Sequence, residues 1–200
     1  MKGKELKSIK TIKSIRKMKT SQLKFANAIL VASSLLVAIG CQNQADKAEL
    51  DKFKATAQIQ EQNKEIVREV INAIDSGDLD KLGNLLSDDF ALYSPGSRQP
   101  WRKDALYQAR NTHFVAFPDW IHKIEIMVAE GDKVAVKLTQ YGTHMAKYKR
   151  IEPTNKYVTV PATHIMMIVN GKVKEWWALE DNLGLMTQLG MELKPKENKK

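Results

Sequence analysis

The stretch 128–144, VAEGDKVAVKLTQYGTH, decides the fold because it reads as two strands joined by a tight turn. From Lys133 to Leu138, valine or leucine occupies every second position, which is typical of a strand with one buried face. The Glu-Gly-Asp sequence at 130–132 is a hairpin turn signal. The stretch therefore predicts an antiparallel hairpin within a larger sheet.

After Leu138, the inward-facing positions of this second strand are no longer apolar. With unchanged parity, Gln140, Gly142 and His144 follow Leu138 on the inner side. A buried polar group without a hydrogen bond costs about 1–3 kcal/mol, so this placement favours a wet or ligand-filled cavity at that end of the sheet. The alternative is a twist or bulge after Leu138 that turns Gln140 and His144 to solvent.

Upstream of the hairpin, apolar residues recur with a helical period. The first helix begins near Ile59 and ends at Ser76-Gly77. Asp78 is placed to cap a short second helix. A third helix is predicted over residues 102–117 because Pro118 stops it, and its inner side includes Ala109 or Arg110 together with His113.

Downstream, the period is again two. Residues 157–169, YVTVPATHIMMIV, and 172–181, KVKEWWALED, read as strands joined by an Asn-Gly turn. The strand preceding the opening hairpin turn is expected to place four residues on one face, namely His122, Ile124, Ile126 and Val128. Helices followed by an antiparallel meander predict an α+β fold with three N-terminal helices on a curved antiparallel sheet.

The charge of the chain is concentrated at its N-terminus. Residues 1–40 hold nine lysine and arginine residues and one glutamate, a net charge of +8 out of +9 for the chain, which leaves +1 for the rest. A nucleic-acid surface needs clustered basic residues on the domain itself. The remainder has no such cluster, and we therefore expect no nucleic-acid partner.

The segment 1–40 has the pattern of an export signal. Basic residues precede fifteen mainly apolar residues, 25–39, which is short for a membrane span. Cys41 follows directly and resembles the lipidated cysteine of a bacterial lipoprotein, although Ala38 stands where that motif usually has leucine. The alternative is an ordinary secretory signal with Cys41 incidental. Met18 is an alternative start.

These observations predict four regions: a lipoprotein signal peptide at 1–40, a polar tether at 41–58, one domain at 59–191 and a basic tail at 192–200. Lipidation of Cys41 would anchor the exported protein to a bacterial cell-envelope membrane. With a single cysteine the chain has no internal disulfide.

Five blocks in the same order resemble the SnoaL-like family, the relatives of polyketide and ester cyclases. They are GDLDKLGNLLSDDFALYSPG (77–96), FPDW (117–120), VAEGDKVAVKLTQYGTH (128–144), THIMMIVNGKVKEWWALED (163–181) and LGLMTQLG (183–190). The resemblance implies the cone-shaped α+β barrel of the nuclear transport factor two-like superfamily, with a deep pocket. It also implies a homodimer formed through the open face of the sheet.

In the cyclases of that family, an acidic residue transfers protons without a metal or cofactor. Many relatives carry aspartate directly after the tryptophan of the last strand, where this chain has Ala178. Glu180 lies two residues further on and shares the face of Ala178 in a regular strand. The resemblance therefore implies no cofactor, and Glu180 is the acidic residue predicted to act.

Histidines are the other candidates for proton transfer. His144 and His164 are predicted as catalytic because imidazole titrates near neutral pH, but His164 lies in an apolar strand and could equally be a core residue. His113 and Gln140 are predicted to bind ligand from the pocket wall. The four histidines lack the short spacings of zinc ligands, so we predict no metal site.

Aromatic residues complete the predicted ligand site. Tyr93 precedes a Pro-Gly turn and is a candidate hydrogen-bond donor, or packs at the rim. Trp176 and Trp177 are adjacent in one strand, so one should face inward and the other outward. The inward ring could fill the core or form a flat wall for a cyclic ligand.

Two functions remain open from the sequence. The first is a membrane-tethered, cofactor-independent cyclase, isomerase or hydrolase acting on a small apolar or cyclic carbonyl or ester compound. The second is a non-catalytic lipoprotein of the same fold that binds a ligand or a partner. Ala178 favours the second, whereas the polar inner face favours neither.

Overall fold

A computed structural model describes residues 46–192 and residue 194 of the chain. The predicted leader, Cys41 and most of the predicted tail lie outside these residues. Within the described part of the chain, no helix is both long and apolar enough to cross a membrane.

The chain divides into two units, residues 1–55 and 56–200. In the first unit, residues 46–55 are helical and exposed. The segment 41–58 is thus helical from residue 46 onward, and its role as a tether stays a prediction.

The second unit contains four helices and five strands among its described residues. Its first helix, α1, covers residues 56–75 of this unit, and the other helices are α2 (Leu79–Leu85), α3 (Lys103–Ala116) and α4 (Asn182–Gln188). The strands are β1 (Leu86–Tyr93), β2 (Ile121–Glu130), β3 (Lys133–Thr143), β4 (Tyr157–Val169) and β5 (Lys172–Glu180).

Local chemistry sets the helix boundaries as the sequence predicts. Gly77 follows α1 with a φ of 69°, a left-handed conformation that costs glycine little. Asp78 caps α2 by accepting a hydrogen bond from the Lys81 backbone N–H at 2.8 Å. Asp181 caps α4 in the same way, accepting from the Gly184 N–H at 2.7 Å.

The five strands form one sheet in the order β1-β5-β4-β3-β2. Neighbours from β5 to β2 are antiparallel, and β1 joins the edge parallel to β5. The turn between β4 and β5 has positive φ at both Asn170 (51°) and Gly171 (74°), as expected of a type I′ hairpin. The α+β prediction is confirmed, with a curved sheet that is mixed at this one edge.

The prediction that His122, Ile124, Ile126 and Val128 share one face is wrong. The β2–β3 register shifts between Ile124 and Ile126. A bulge adds one residue to a strand, which moves every following side chain to the opposite face. Ile126 and Val128 therefore lie on the outer face and are exposed, while His122 stays inside, where its Nδ1 contacts the Asp75 carboxylate of α1.

The inner face of the sheet packs against the helices in two buried clusters. The larger joins α1 and α2 to the middle of the sheet and includes Val70, Leu82, Val136 and Trp176. The smaller surrounds Phe117 and includes Trp120, Val158 and Leu185. The cavity described next is lined by members of both clusters.

Candidate functional site

A cavity of about 720 Å³ opens between α3 and the inner face of the sheet. This volume is in the usual range for small-molecule sites. Helix α3 supplies Leu106, Ala109, Arg110 and His113, so both residues that the sequence offered for its inner side line the cavity. The sheet supplies Gln140, Val160, Trp176, Ala178 and Glu180, and the segments outside these elements supply Trp101, Trp120, Tyr148 and Lys149.

Glu180 is the one carboxylate among the described residues that line this cavity. Its Oε1 accepts a hydrogen bond at 3.2 Å from Nε2 of Gln140, which is itself only 2% exposed. The same oxygen lies 3.7 Å from His164 Nε2. Gln140 thus faces inward as the strand parity predicts, and it holds the carboxylate in place.

The charge state of Glu180 follows from its neighbours. Burial by itself would raise the pKa of Glu180, but His164, the Arg110 guanidinium and the Gln140 amide stabilise the carboxylate and bring that pKa to about 2. Burial lowers the pKa of His164, and the adjacent Glu180 carboxylate opposes this only in part. The pair is therefore an ionised carboxylate beside a neutral imidazole at neutral pH.

His164 lies behind Glu180 rather than on the cavity wall. It pairs with Ala178 across β4 and β5, and its ring meets Trp176 edge-on at 5.3 Å between centroids. It is 1% exposed, and neither ring nitrogen has a hydrogen-bond partner among the described residues. His164 touches the acidic group, but its ring is not among those that line the cavity.

His144 does not reach the cavity, although the sequence predicted that it would. It follows β3 and is fully buried, with its ring stacked on Phe117 at 5.1 Å between centroids. Its Nδ1 accepts a hydrogen bond from the Thr154 backbone N–H at 3.2 Å. The alternation along β3 correctly predicts that the side chain points inward. The chain that follows, up to residue 156, packs over its ring. This placement does not support a catalytic role for His144.

Tyr93 and Trp177 also lie away from the cavity. Their rings stack at 5.6 Å between centroids, 13° from parallel, and both line a separate shallow groove on the sheet with Ile165 and Leu179. Trp176 faces inward and lines the cavity. The expected split of the tryptophan pair is therefore confirmed, and Trp177 is the outward ring.

His113 lines the cavity with an aromatic group around it. Its ring stacks on Phe117 at 4.8 Å and meets Trp120 at 4.4 Å and Tyr148 at 5.5 Å, the last two edge-on. Burial and the nearby Arg110 charge lower the pKa of His113 to about 3. His113 is thus neutral and contributes a flat wall in place of a charge.

Three polar residues that line the cavity, Arg110, Tyr148 and Lys149, were not predicted as site residues. The sequence offered Arg110 only as an alternative to Ala109 on the inner side of α3. Tyr148 and Lys149 lie in a segment predicted to be a polar connection between strands. An arginine on an otherwise apolar helix face was the available signal for Arg110. Nothing in the sequence placed residues 148 and 149 opposite α3, because this contact depends on how the chain folds back after β3.

No group of three or more His, Cys, Asp or Glu side chains within the described part of the chain is arranged to hold a metal ion. The charged groups that line the cavity are instead the Glu180 carboxylate, the Arg110 guanidinium and the Lys149 ammonium, and neutral polar side chains such as Gln140 and Tyr148 lie beside them. Such a set can bind polar atoms of a ligand and exchange protons with it.

A family model for SnoaL-like polyketide cyclases matches residues 64–189, well over half of the chain. The chain belongs to this family. The match covers every strand and all cavity-lining elements of the second unit. A comparison with curated proteins gave no match.

Solved structures share the fold. AclR, a candidate hydroxylase from Streptomyces galilaeus, is 25% identical, with a TM-score of 0.61 over 66% of this chain and 97% of AclR. IdmH, a candidate polyketide cyclase from Streptomyces antibioticus, is 23% identical with a TM-score of 0.59 over 64% and 99% of the two chains. A SnoaL-like protein from Jannaschia sp. CCS1 is 21% identical, with a TM-score of 0.62 over 68% and 96%.

In this SnoaL-like domain, Ala178 occupies the position where many relatives have aspartate, and a nearby residue supplies the carboxylate instead. Ala178 lines the cavity, but its methyl side chain offers no polar atom. Glu180, two residues on, reaches the same cavity with a longer side chain and contacts both Gln140 and His164. A carboxylate is therefore present at the wall, displaced by two residues along β5.

Proposed function

We propose that the protein is a cofactor-independent enzyme of the cyclase or isomerase type, in which Glu180 removes a proton next to a carbonyl group of a small, largely apolar substrate. The observation that carries this proposal is the position of Glu180, ionised and hydrogen-bonded to Gln140, in a cavity walled mainly by apolar and aromatic residues. Membership of a cyclase family supports the same reaction class.

The environment of Glu180 suits a base rather than an acid. With a pKa of about 2, the side chain is deprotonated at any physiological pH. A base of such low pKa is weak in water. An apolar substrate that excludes water from the cavity raises the basicity of the carboxylate, because desolvation disfavours the charged form.

In this proposal His164 is a positioning residue. Its neutral ring packs beside Glu180, with Nε2 3.7 Å from Oε1, and so limits the orientations open to the carboxylate. Substitution of His164 is expected to change the pH profile and kcat more than KM, since the ring does not line the cavity. His144, buried elsewhere, has no part in the reaction.

A non-catalytic binding protein is the second candidate. The alanine at position 178, where many relatives have aspartate, favours it, as does the low pKa of Glu180. Under this alternative the same cavity holds a ligand, and Glu180 only contributes charge.

Base-promoted ring opening of 5-nitrobenzisoxazole separates the two candidates. A base removes the ring C–H proton, the N–O bond breaks, and the coloured cyanonitrophenolate is released. We expect the purified protein to accelerate this reaction beyond acetate at equal concentration. Glu180→Gln should lower kcat/KM by about 100-fold or more, the size of a general-base contribution.

The matched control is Glu130→Gln, which removes an exposed carboxylate at the end of β2. This variant should keep the wild-type rate. Equal rates for wild type and Glu180→Gln would refute the base role. Saturable binding of the compound with no turnover would favour the binding protein. The wild-type kcat/KM, which reflects ionisation in the free enzyme, should also stay level from pH 8 to pH 4, because the pKa of Glu180 lies near 2.

We also propose that the protein is exported and lipid-anchored through Cys41. The basic leader and the apolar segment before the cysteine support this assignment. An alkyne-tagged fatty acid supplied to bacteria that express the full chain should label the wild type and leave Cys41→Ser unlabelled. Equal labelling of the two chains, or none of the wild type, would exclude it.

A further inference from the structure

Arg110 brings a positive charge to the cavity, where it attracts the Glu180 carboxylate from a distance but forms no direct ion pair with it. The side chain is half-buried and lines the cavity from α3. It makes no hydrogen bond or ion pair with any residue that the structure describes. Because none of its nitrogens is both enclosed and unpartnered, the guanidinium is accessible in part. An arginine stays protonated in proteins and presents up to five donors.

Two further donors lie beside Arg110. Tyr148 packs edge-on against His113, one helical turn after Arg110, with 5.5 Å between ring centroids. The Tyr148 hydroxyl has no hydrogen-bond partner within the described chain and is likewise not enclosed. The Lys149 ammonium lies 5.1 Å from the centre of the Tyr148 ring, and both residues line the cavity. One side of the cavity is thus a group of donors.

The acidic groups of the cavity do not neutralise the charge of these donors. Glu180 is the one carboxylate on the described wall, and Gln140 already donates to it. Arg110 and Lys149 therefore give the cavity a net positive charge before any ligand enters. A guanidinium in partly buried surroundings is most stable when a carboxylate or similar oxyanion meets it with two parallel hydrogen bonds.

We infer that the cavity binds an apolar, ring-containing molecule bearing a single carboxylate, and that Arg110 recognises this carboxylate with Tyr148 and Lys149 beside it. The apolar body lies against Leu106, Val160 and Trp176. The ligand carboxylate approaches Arg110 rather than Glu180, which it would repel. This inference rests on the cavity of the proposed function, but it does not depend on proton transfer by Glu180.

Naphthalene-2-carboxylate and naphthalene-2-carboxamide provide a matched pair of probes that differ in charge but not in the ring. By titration calorimetry at pH 7.5 and low salt, the wild type should bind the carboxylate at least 10-fold more tightly than the amide. Arg110→Met should remove this preference and leave the affinity for the amide within 2-fold. Arg110→Lys should keep part of it, since the charge remains but the two-pronged geometry is lost.

Arg68→Met is the control, because Arg68 is exposed on α1 and pairs with Glu65. Arg68→Met should show the same preference for the carboxylate over the amide as the wild type. Glu180→Gln should bind the carboxylate a few-fold more tightly, since a like charge is removed. This result is distinguishable from failure of the proposed function, which would show as missing turnover in a protein that still prefers the carboxylate.

Three outcomes overturn the inference. Arg110→Met could retain the wild-type preference for the carboxylate, the wild type could bind both probes equally, or it could bind neither. Thermal unfolding of each variant is measured first. If Arg110→Met does not fold, the decision passes to Arg110→Lys, for which an unchanged preference also counts against the inference.

Discussion

His144 and His164 are buried and His113 is half-buried, and burial lowers the pKa of each. A histidine that stays neutral in the folded protein still binds a proton in the unfolded chain below its ordinary pKa of 6.5. The free energy of unfolding therefore falls as pH falls below that value. We therefore expect these imidazoles to make the domain less stable as the pH falls below 6.5.

The clearest case is His113, whose pKa is about 3 in the folded state. Between pH 6.5 and 3 the unfolded chain carries one more proton at this residue, which changes the free energy of unfolding by up to about 1.4 kcal/mol per pH unit. His113→Phe should make the pH dependence shallower by about this amount. Urea unfolding at pH 7.5, 5.5 and 4.5 measures the slope.

At pH values well above 6.5 the wild type and His113→Phe should show the same slope, which serves as the internal control. Parallel curves down to pH 4.5 would mean that His113 is protonated in the folded protein. The neutral aromatic wall assigned to it would then be wrong.

At the scale of the element, the packing of β3 explains why glycine occupies position 142, which faces inward. A Cβ atom at position 142 would lie 2.5 Å from Cε3 of Trp120. Glycine at this position lets the indole lie against the strand, where Trp120 lines the cavity beside His113. The polar end of β3 is therefore shaped by packing as well as by hydrogen bonding.

Gly142→Ala should destabilise the protein by about 1–3 kcal/mol, the usual cost of overpacking a buried site. It should also move the Trp120 indole, which tryptophan fluorescence reports. Gly83→Ala is the matched control. There the added Cβ meets only the Tyr107 hydroxyl, at 2.6 Å, and this is the end of a side chain that can rotate.

Gly83 lies within α2, where alanine is the better helix former, so Gly83→Ala should be neutral or slightly stabilising. Urea unfolding of both variants gives the comparison. Equal stability of Gly142→Ala and the wild type would show that the indole is not held against the strand.

At the scale of the whole molecule, the outer face of the sheet carries several exposed apolar side chains. Ile126, Val128, Ile165 and Leu179 are 55%, 57%, 40% and 61% exposed. Contiguous apolar surface of this kind marks an interaction site. We propose that a second copy of the chain covers this face, as the family resemblance implies.

Ile165→Glu should convert the dimer into a monomer, because it places a charge on the apolar face next to Trp177 of β5. Ile59→Glu makes the same change on exposed α1 and should leave the dimer intact. Light scattering coupled to gel filtration measures both masses. A monomeric wild type at micromolar concentration, or a dimeric Ile165→Glu, would contradict this proposal.

Much of the site could be predicted from individual strands. Alternation in β3 placed Gln140 inward, and adjacency in β5 predicted that Trp176 and Trp177 face opposite sides. Glu180 was identified by its spacing from Ala178. The failures have one cause each. A bulge in β2 moved Ile126 and Val128 to the outer face, and the chain after β3 covered His144. Neither a bulge nor such a covering segment leaves a periodic signal in the sequence.

The sequence by itself determined the α+β class, the turns and which residues face inward on each regular strand, because these depend on contacts between near neighbours along the chain. Only the tertiary structure decided that Glu180, His164 and Gln140 meet, that Arg110 faces the cavity with Tyr148, and that His144 does not. Those groups come from separate elements, and their distances depend on how the helices pack on a curved sheet.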